Sequence, residues 1–265
     1  DAKVIVHREH AANQWAPIYT FNHKSSVNAV QFAPHEYGLI MACASSDGTV
    51  SVHTFENDNS WSVRHIEVSK LGVNSVTWAP PTALGSQGEL TGSQTLRLAT
   101  GSCDNTVKVW KFEEDGGTEW EQECVLKMHT DWVRDVAWCP SIAVPINTLA
   151  SASQDGTVVM WSQETEGGDW TAHLLNKFPA PVWRGSWSLT GNVLGVATGD
   201  NQHSLWKETV DKKWEEMAME GEKEAGANPE EQPPAKDGAP GESPATGAPV
   251  DAEPASAALP QQQAP

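Results

Sequence analysis

The sequence predicts an all-β fold assembled from repeated four-stranded blades, and three observations carry that prediction. An aspartate-bearing turn recurs at Asp1, Asp47, Asp104, Asp155 and Asp200, at spacings of 46, 57, 51 and 45 residues. Each aspartate is followed by a short alternating run that ends at Trp110, Trp161 or Trp206, or at His7 or His53 in the same place. Tryptophan is also the dominant aromatic residue, with 13 copies against 5 Phe and 2 Tyr. Short β-branched runs near period two, bounded by turn residues, are strands. Four of them in every repeat describe the blades of a WD-repeat β-propeller. The period slightly exceeds the roughly 40–45 residues of WD-type repeats, and the excess falls in loops, chiefly Ala79 to Thr95 and Pro140 to Asn147.

Taken in order, the segment 1–21 supplies DAKVIVHRE and a run from Trp15, which read as the outer two strands of a blade. Four complete blades follow at 27–67, 73–127, 133–178 and 182–217. Their first strands are VNAVQFAP, VNSVTWAP, VRDVAWCP and VWRGSWSL. Their second strands run into the turn aspartate as LIMACASSD, LRLATGSCD, LASASQD and LGVATGD. Asp-Gly and Asp-Asn pairs suit the tight turn that follows, where one residue often needs φ > 0. The fourth strands start at Trp61, Trp120, Trp170 and Trp214. A half blade leaves unpaired strand edges, which proteins normally cover. The expectation is therefore an N-terminally truncated chain, its missing inner strands supplied by upstream sequence or a partner.

The residues after 214 belong to a different polymer. Residues 215–265 contain no aromatic residue, 9 prolines, 11 acids and 2 lysines, so they carry −9 of the total −18. Such a segment cannot bury enough apolar surface to offset its chain entropy and is expected to be disordered. WEEMAMEGEKE from Trp214 reads as at most a turn or two of helix, interrupted by Gly221 and Gly226. The expected domains are thus a propeller at 1–214 and an acidic tail at 215–265.

The turn chemistry and the strand-end tryptophans suggest a buried polar relay of His, Ser or Thr, Asp and Trp. His129, Ser151, Asp155 and Trp161 occupy those places in one blade. Asp47, Asp104 and Asp200 are its turn aspartates elsewhere, and Trp110 and Trp206 its strand-end rings. The blade at 27–67 has His23 but carries His53 in place of the Trp, and the blades from Val73 and Val182 lack the His. Every tryptophan is expected to be a ring buried between sheets that gives its N–H to a polar partner. Cys43 and Cys103 read as small buried residues in the same strand position of neighbouring blades.

Chemistry-bearing motifs are absent. An acidic excess argues against nucleic-acid and anionic-lipid binding, and the four cysteines have no zinc-like or disulfide-scaffold spacing. His7, Glu9 and His10 do not form a metal-ligand pattern on one strand face. No nucleotide-binding glycine motif or nucleophile elbow occurs. The reading is a non-enzyme without cofactor or metal. A WD adaptor in signalling or ubiquitin-type complexes and a propeller hydrolase stand as competing classes. The adaptor would need charged groups converging on the top loops, and the sequence shows no such cluster.

Longer strings go beyond repeat grammar. NHKSSVNAVQFAPHEYGLIMACASSDGTVSV, MHTDWVRDVAWCPSIAVP, FPAPVWRGSWSLTGNVLGVATGDN and LWKETVDKKW closely resemble the Sec-thirteen family, over about residues 1 to 214. The Seh-type nucleoporins resemble them less well. The resemblance implies the small WD-repeat subunit of the COPII outer coat, shared with the Y-shaped scaffold of the nuclear pore. It implies a six-bladed open propeller, closed by a strand segment from a large α-solenoid coat subunit or solenoid nucleoporin. It further implies a place on the cytoplasmic face of the ER membrane, on COPII vesicles and at the nuclear envelope, with membrane contact only through the coat. The last blade would form one wall of the gap, with its edge near Val182, Trp206 and Trp214 as the expected partner-binding region.

Overall fold

The computed structural model describes residues 1–83, 95–113, 117–140, 146–211 and 213–218. Contacts divide the chain into residues 1–220 and 221–265. The tail beyond Ala218, and most of both expected loop expansions, lie outside the described residues.

The repeats fold as consecutive antiparallel sheets. A two-stranded sheet pairs β1 (Lys3–Ala11) with β2 (Gln14–Asn22). The first complete blade is β3 (Val27–Phe32), β4 (Ile40–Ser45), β5 (Thr49–Phe55) and β6 (Trp61–Glu67). The second is β7 (Val73–Trp78), β8 (Thr95–Ser102), β9 (Thr106–Glu113) and β10 (Glu121–Lys127). The third is β11 (Val133–Trp138), β12 (Asn147–Ser153), β13 (Thr157–Gln163) and β14 (Thr171–Lys177). The fourth is β15 (Val182–Trp187), β16 (Val193–Thr198), β17 (His203–Glu208) and β18 (Trp214–Met217). The WD-repeat all-β architecture and its blade boundaries agree with the repeat pattern. One local expectation is overturned: Glu215–Met217 is neither disordered nor helical. It pairs with β17, Leu205 facing Met217 and Glu208 facing Trp214, because an open strand edge offers this segment main-chain partners that its composition does not advertise.

Stabilisation lies between the blades. Val50, Val52 and Ile66 pack with Val76, Trp78 and Leu98 in one cluster, and Val107 and Val109 with Val136, Trp138 and Trp161 in the next. A third cluster joins Ala150, Ala152, Val158 and Met160 to Leu194, Val196 and Trp206. Alternate residues of each strand face the neighbouring sheet, so one period-two pattern builds both walls. The turns use left-handed backbone at Gly48 (φ 93°), Asn105 (φ 68°), Gly156 (φ 81°) and Asn201 (φ 63°).

Gly48 has a second constraint, since a Cβ there would lie 2.1 Å from the Ser69 carbonyl oxygen. Gly38 has a similar φ of 86° but open space around it. Gly38→Ala is expected to cost about 1–3 kcal/mol, from backbone strain alone. Gly48→Ala should cost distinctly more in urea unfolding, and equal costs would show that the Ser69 contact does not limit the turn.

Candidate functional site

The third blade holds the polar relay in full. His129 precedes β11 and places Nε2 2.7 Å from Ser151 Oγ and Nδ1 2.9 Å from Thr157 Oγ1. Trp161 donates its Nε1–H to the same Ser151 Oγ at 2.8 Å. Asp155 accepts the Thr157 N–H (2.9 Å), the Thr157 hydroxyl (2.5 Å) and the Thr130 N–H (2.8 Å), and lies 3.5 Å from His129 Nδ1. Burial pushes the Asp155 carboxyl up, but these donors outweigh it and hold it at about 2. Burial holds His129 below the usual histidine range, against the pull of Asp155.

The other blades keep the geometry and change its parts. In the first, Ser51 Oγ lies 2.8 Å from His23 Nε2 and 2.7 Å from His53 Nε2, with His23 Nδ1 3.4 Å from Asp47. His53 Nδ1 meets the Tyr19 hydroxyl at 3.0 Å, which ties β2 to this blade. In the second, Thr100 Oγ1 accepts the Trp110 Nε1–H at 3.1 Å. Lys108 stands in for the missing histidine there, donating to Asp104 Oδ2 and the Val68 carbonyl, both at 2.6 Å. In the fourth, Ser204 Oγ accepts the Trp206 Nε1–H at 2.8 Å, and Phe178 sits edge-on to Trp206 in the histidine's place. Asp200 accepts the Thr198 hydroxyl at 2.5 Å. The hydroxyl thus moves between directly paired cross-strand positions: Cys43 faces Ser51, Thr100 faces Lys108, Ser151 faces Val159, and Val196 faces Ser204. Such partners point to one face of a sheet, so either can reach the strand-end ring.

Two expectations need correction. Cys103 is not the counterpart of Cys43: Cys43 is buried inside β4, whereas Cys103 is half-buried beyond the end of β8, its thiol 3.4 Å from Asn74 Oδ1. Nor are all tryptophan rings core. Trp110, Trp161 and Trp206 are buried, but Trp15 is 61%, Trp132 45% and Trp183 49% exposed.

Among the described residues nothing covers the outward face of the fourth blade. In the third blade Ala150, Ala152, Val158 and Met160 are buried against the fourth. The corresponding residues of the fourth blade, 45 positions on, are Gly195, Ala197, His203 and Leu205, and the last three are exposed, Leu205 at 37%. Of the residues expected at the partner edge, Val182 and Trp206 are buried with the third blade's core, and Trp214 is half-buried edge-on to Trp187. The exposed part of that edge is carried by Leu205 and Met217 instead. On the first blade, Val30 (56%) and Phe32 (51%) are likewise exposed, while their counterparts Val76 and Trp78 are buried against it.

The inner strands border a cavity of about 1150 Å³, lined by parts of β1, β3, β7, β11 and β15. Among the described residues no three His, Cys, Asp or Glu side chains are placed to hold a metal ion, and no helix is long and apolar enough to cross a membrane. The Cys43, Cys124 and Cys139 thiols are each pushed up to about 12 by burial, which removes their thiolate reactivity at neutral pH.

The chain matches the family described as WD domain, G-beta repeat, at residues 15–54, 60–111 and 120–162. It is 44% identical over 221 residues to the protein SEC13 homolog of Drosophila melanogaster, covering 81% of this chain and 61% of that protein. To the protein transport protein SEC13 of Mycosarcoma maydis it is 41% identical over 235 residues, covering 77% and 64%. To the protein transport protein sec13 of Aspergillus clavatus it is 43% identical over 229 residues, covering 82% and 76%. The chain therefore spans a little under two thirds of the first two of these relatives.

Proposed function

The chain belongs to the SEC13 family of WD-repeat proteins, and from that premise we propose that it is a non-enzymatic scaffold subunit of the COPII protein-transport coat, shared with the Y-shaped complex of the nuclear pore. Its partners are a large α-solenoid coat subunit and a solenoid nucleoporin, each inserting a strand segment as an additional blade. It acts at the cytoplasmic face of the ER membrane, on COPII vesicles and at the nuclear envelope, and reaches the membrane only through the coat. The names of the relatives support the transport role.

The observation that carries the insertion is the outward face of the last blade. A face of Gly195, Ala197, His203 and Leu205, exposed at its last three positions where the preceding repeat buries its counterparts, suits a docked sheet. Main-chain bonding would add affinity and alternate side chains specificity. Co-expression of the full chain with each solenoid partner should give a stoichiometric complex in gel filtration. Leu205→Asp should weaken it roughly tenfold or more, since a buried unpaired carboxylate costs several kcal/mol, with little change in the urea unfolding midpoint. A chain that elutes alone beside both solenoids would overturn the reading.

A further inference from the structure

Each inner strand carries a bulge at its second residue. The register breaks between Val27 and Ala29, Val73 and Ser75, Val133 and Asp135, and Val182 and Arg184. A bulge re-aims the extra side chain, so Asn28, Asn74, Arg134 and Trp183 occupy one structural position in four blades. The first two have a structural task. Asn28 Nδ2–H donates to the Val73 carbonyl and Asn74 Nδ2–H to the Val133 carbonyl, each at 2.8 Å, which ties one blade to the next.

Arg134 breaks the series. It makes no such tie among the described residues; its Nε–H donates to Gln154 Oε1 at 2.8 Å. Its guanidinium carbon lies 4.9 Å from the Trp132 ring centroid and 4.7 Å from that of Trp183. The terminal Nη groups have no hydrogen-bond partner among the described residues. The residue just before the inner strand is Ser26, Gly72 or Pro181 in the other blades and Trp132 here. Both rings are about half exposed, Trp183 lying against Gly199 with the rest of its surface open. The first and second blades have a small residue and an amide at the positions of Trp132 and Arg134, Ser26 with Asn28 and Gly72 with Asn74.

We propose that Trp132, Arg134 and Trp183 form a docking site for a carboxylate of an extended acidic peptide, separate from the blade-insertion face. An arginine whose guanidinium lies within 5 Å of two indole rings and whose Nε is bonded to Gln154 has its terminal N–H fork restrained, which suits bidentate binding of a carboxylate. The rings supply apolar contact beside it. Polyanions fit less well. The Asp131 carboxylate accepts the Trp132 N–H at 2.7 Å, the Asp135 carboxylate accepts the Gly185 N–H at 3.0 Å, and Arg184 stands 3.7 Å from Asp135. Half-buried Arg134 is therefore flanked by two acids, one of which Arg184 already approaches. The peptide's path is the adjoining cavity, which Arg134 and Trp183 help to line.

The test is calorimetric titration of the full chain with a capped peptide of alternating alanine and glutamate, its glutamine counterpart, and inorganic phosphate. The glutamate peptide should bind, weaken with added salt, and exceed the other two by roughly tenfold or more, the scale of a charge-assisted bond. Arg134→Gln should remove that difference, and Arg134→Lys should not restore it. Should the arginine variants unfold, fluorotryptophan NMR of the unsubstituted chain decides. The Trp132 and Trp183 signals, assigned with Trp132→Phe and Trp183→Phe, should shift together on titration. Equal binding of the glutamine peptide, preference for phosphate, or unmoved Trp132 and Trp183 signals would overturn the proposal. None of these outcomes bears on the Leu205→Asp result.

Discussion

Replacing Trp161 by alanine should destabilise the propeller by about 3–5 kcal/mol, the scale for losing a buried aromatic ring. The ring is 3% exposed and lies in the cluster that joins the second and third blades. Its loss removes apolar packing on both sides and one donor to Ser151. Two further substitutions separate these contributions. Trp161→Phe keeps most of the ring and drops the N–H, so it should cost about 1 kcal/mol for the hydrogen bond plus a small packing loss, because His129 still holds Ser151. Trp15→Ala removes a ring that is 61% exposed and should stay within about 0.5 kcal/mol of the parent. Urea unfolding of the three variants checks the ordering. If the alanine variants at 161 and 15 cost the same, inter-blade packing is not where this fold stores its stability.

That contrast shows what the sequence makes legible. Turn aspartates and period-two runs placed all four complete blades, because both are set by local backbone chemistry that repeats in register. A tryptophan's depth is not local. Trp138 and Trp132 differ by six residues in the same repeat, and one is buried against the second blade while the other is about half exposed. Only the neighbouring sheet decides that. The relay's hydroxyl was partly legible for the same reason. Ser151 sits where the repeat grammar expects it, but Ser51 and Ser204 reach the same point from the next strand, across a direct pair. Lys108 illustrates a substitution no motif encodes: a flexible ammonium on the third strand fills the space left by a missing histidine and meets the same turn aspartate. The arginine cluster was missed because Trp132 and Trp183 lie 51 residues apart, on adjacent blades, and only the folded chain brings both to one guanidinium.

Acidification from pH 7 to pH 5 should lower stability, and the sign follows from two opposed sets of buried groups. Burial holds His53 at about 4, helped by the nearby His23 and His65, and burial also lowers His23 and His129. The unfolded chain then binds more protons than the native one, so the stability these residues contribute is complete above about pH 6.5 and is lost as the pH falls toward the folded values. Asp135 acts in the other direction. Burial pushes its carboxyl up to about 6 against the Gly185 N–H and Arg184, so its protonation favours the native state between about pH 6 and 4. By pH 5, His53 alone should cost about 2 kcal/mol, and Asp135 should return about 1 kcal/mol. The turn aspartates Asp47, Asp104 and Asp155, each held at about 2, stay ionised throughout this window and matter only below about pH 4. Three histidines against one carboxylate leave a net loss. Urea midpoints measured at pH 7 and pH 5 should therefore differ. His53→Gln should shrink the difference, because its amide does not titrate, and Asp135→Asn should widen it by removing the opposing group. If His53→Gln leaves the pH 7 to pH 5 difference unchanged, the neutral buried imidazole is not what makes this propeller sensitive to acid.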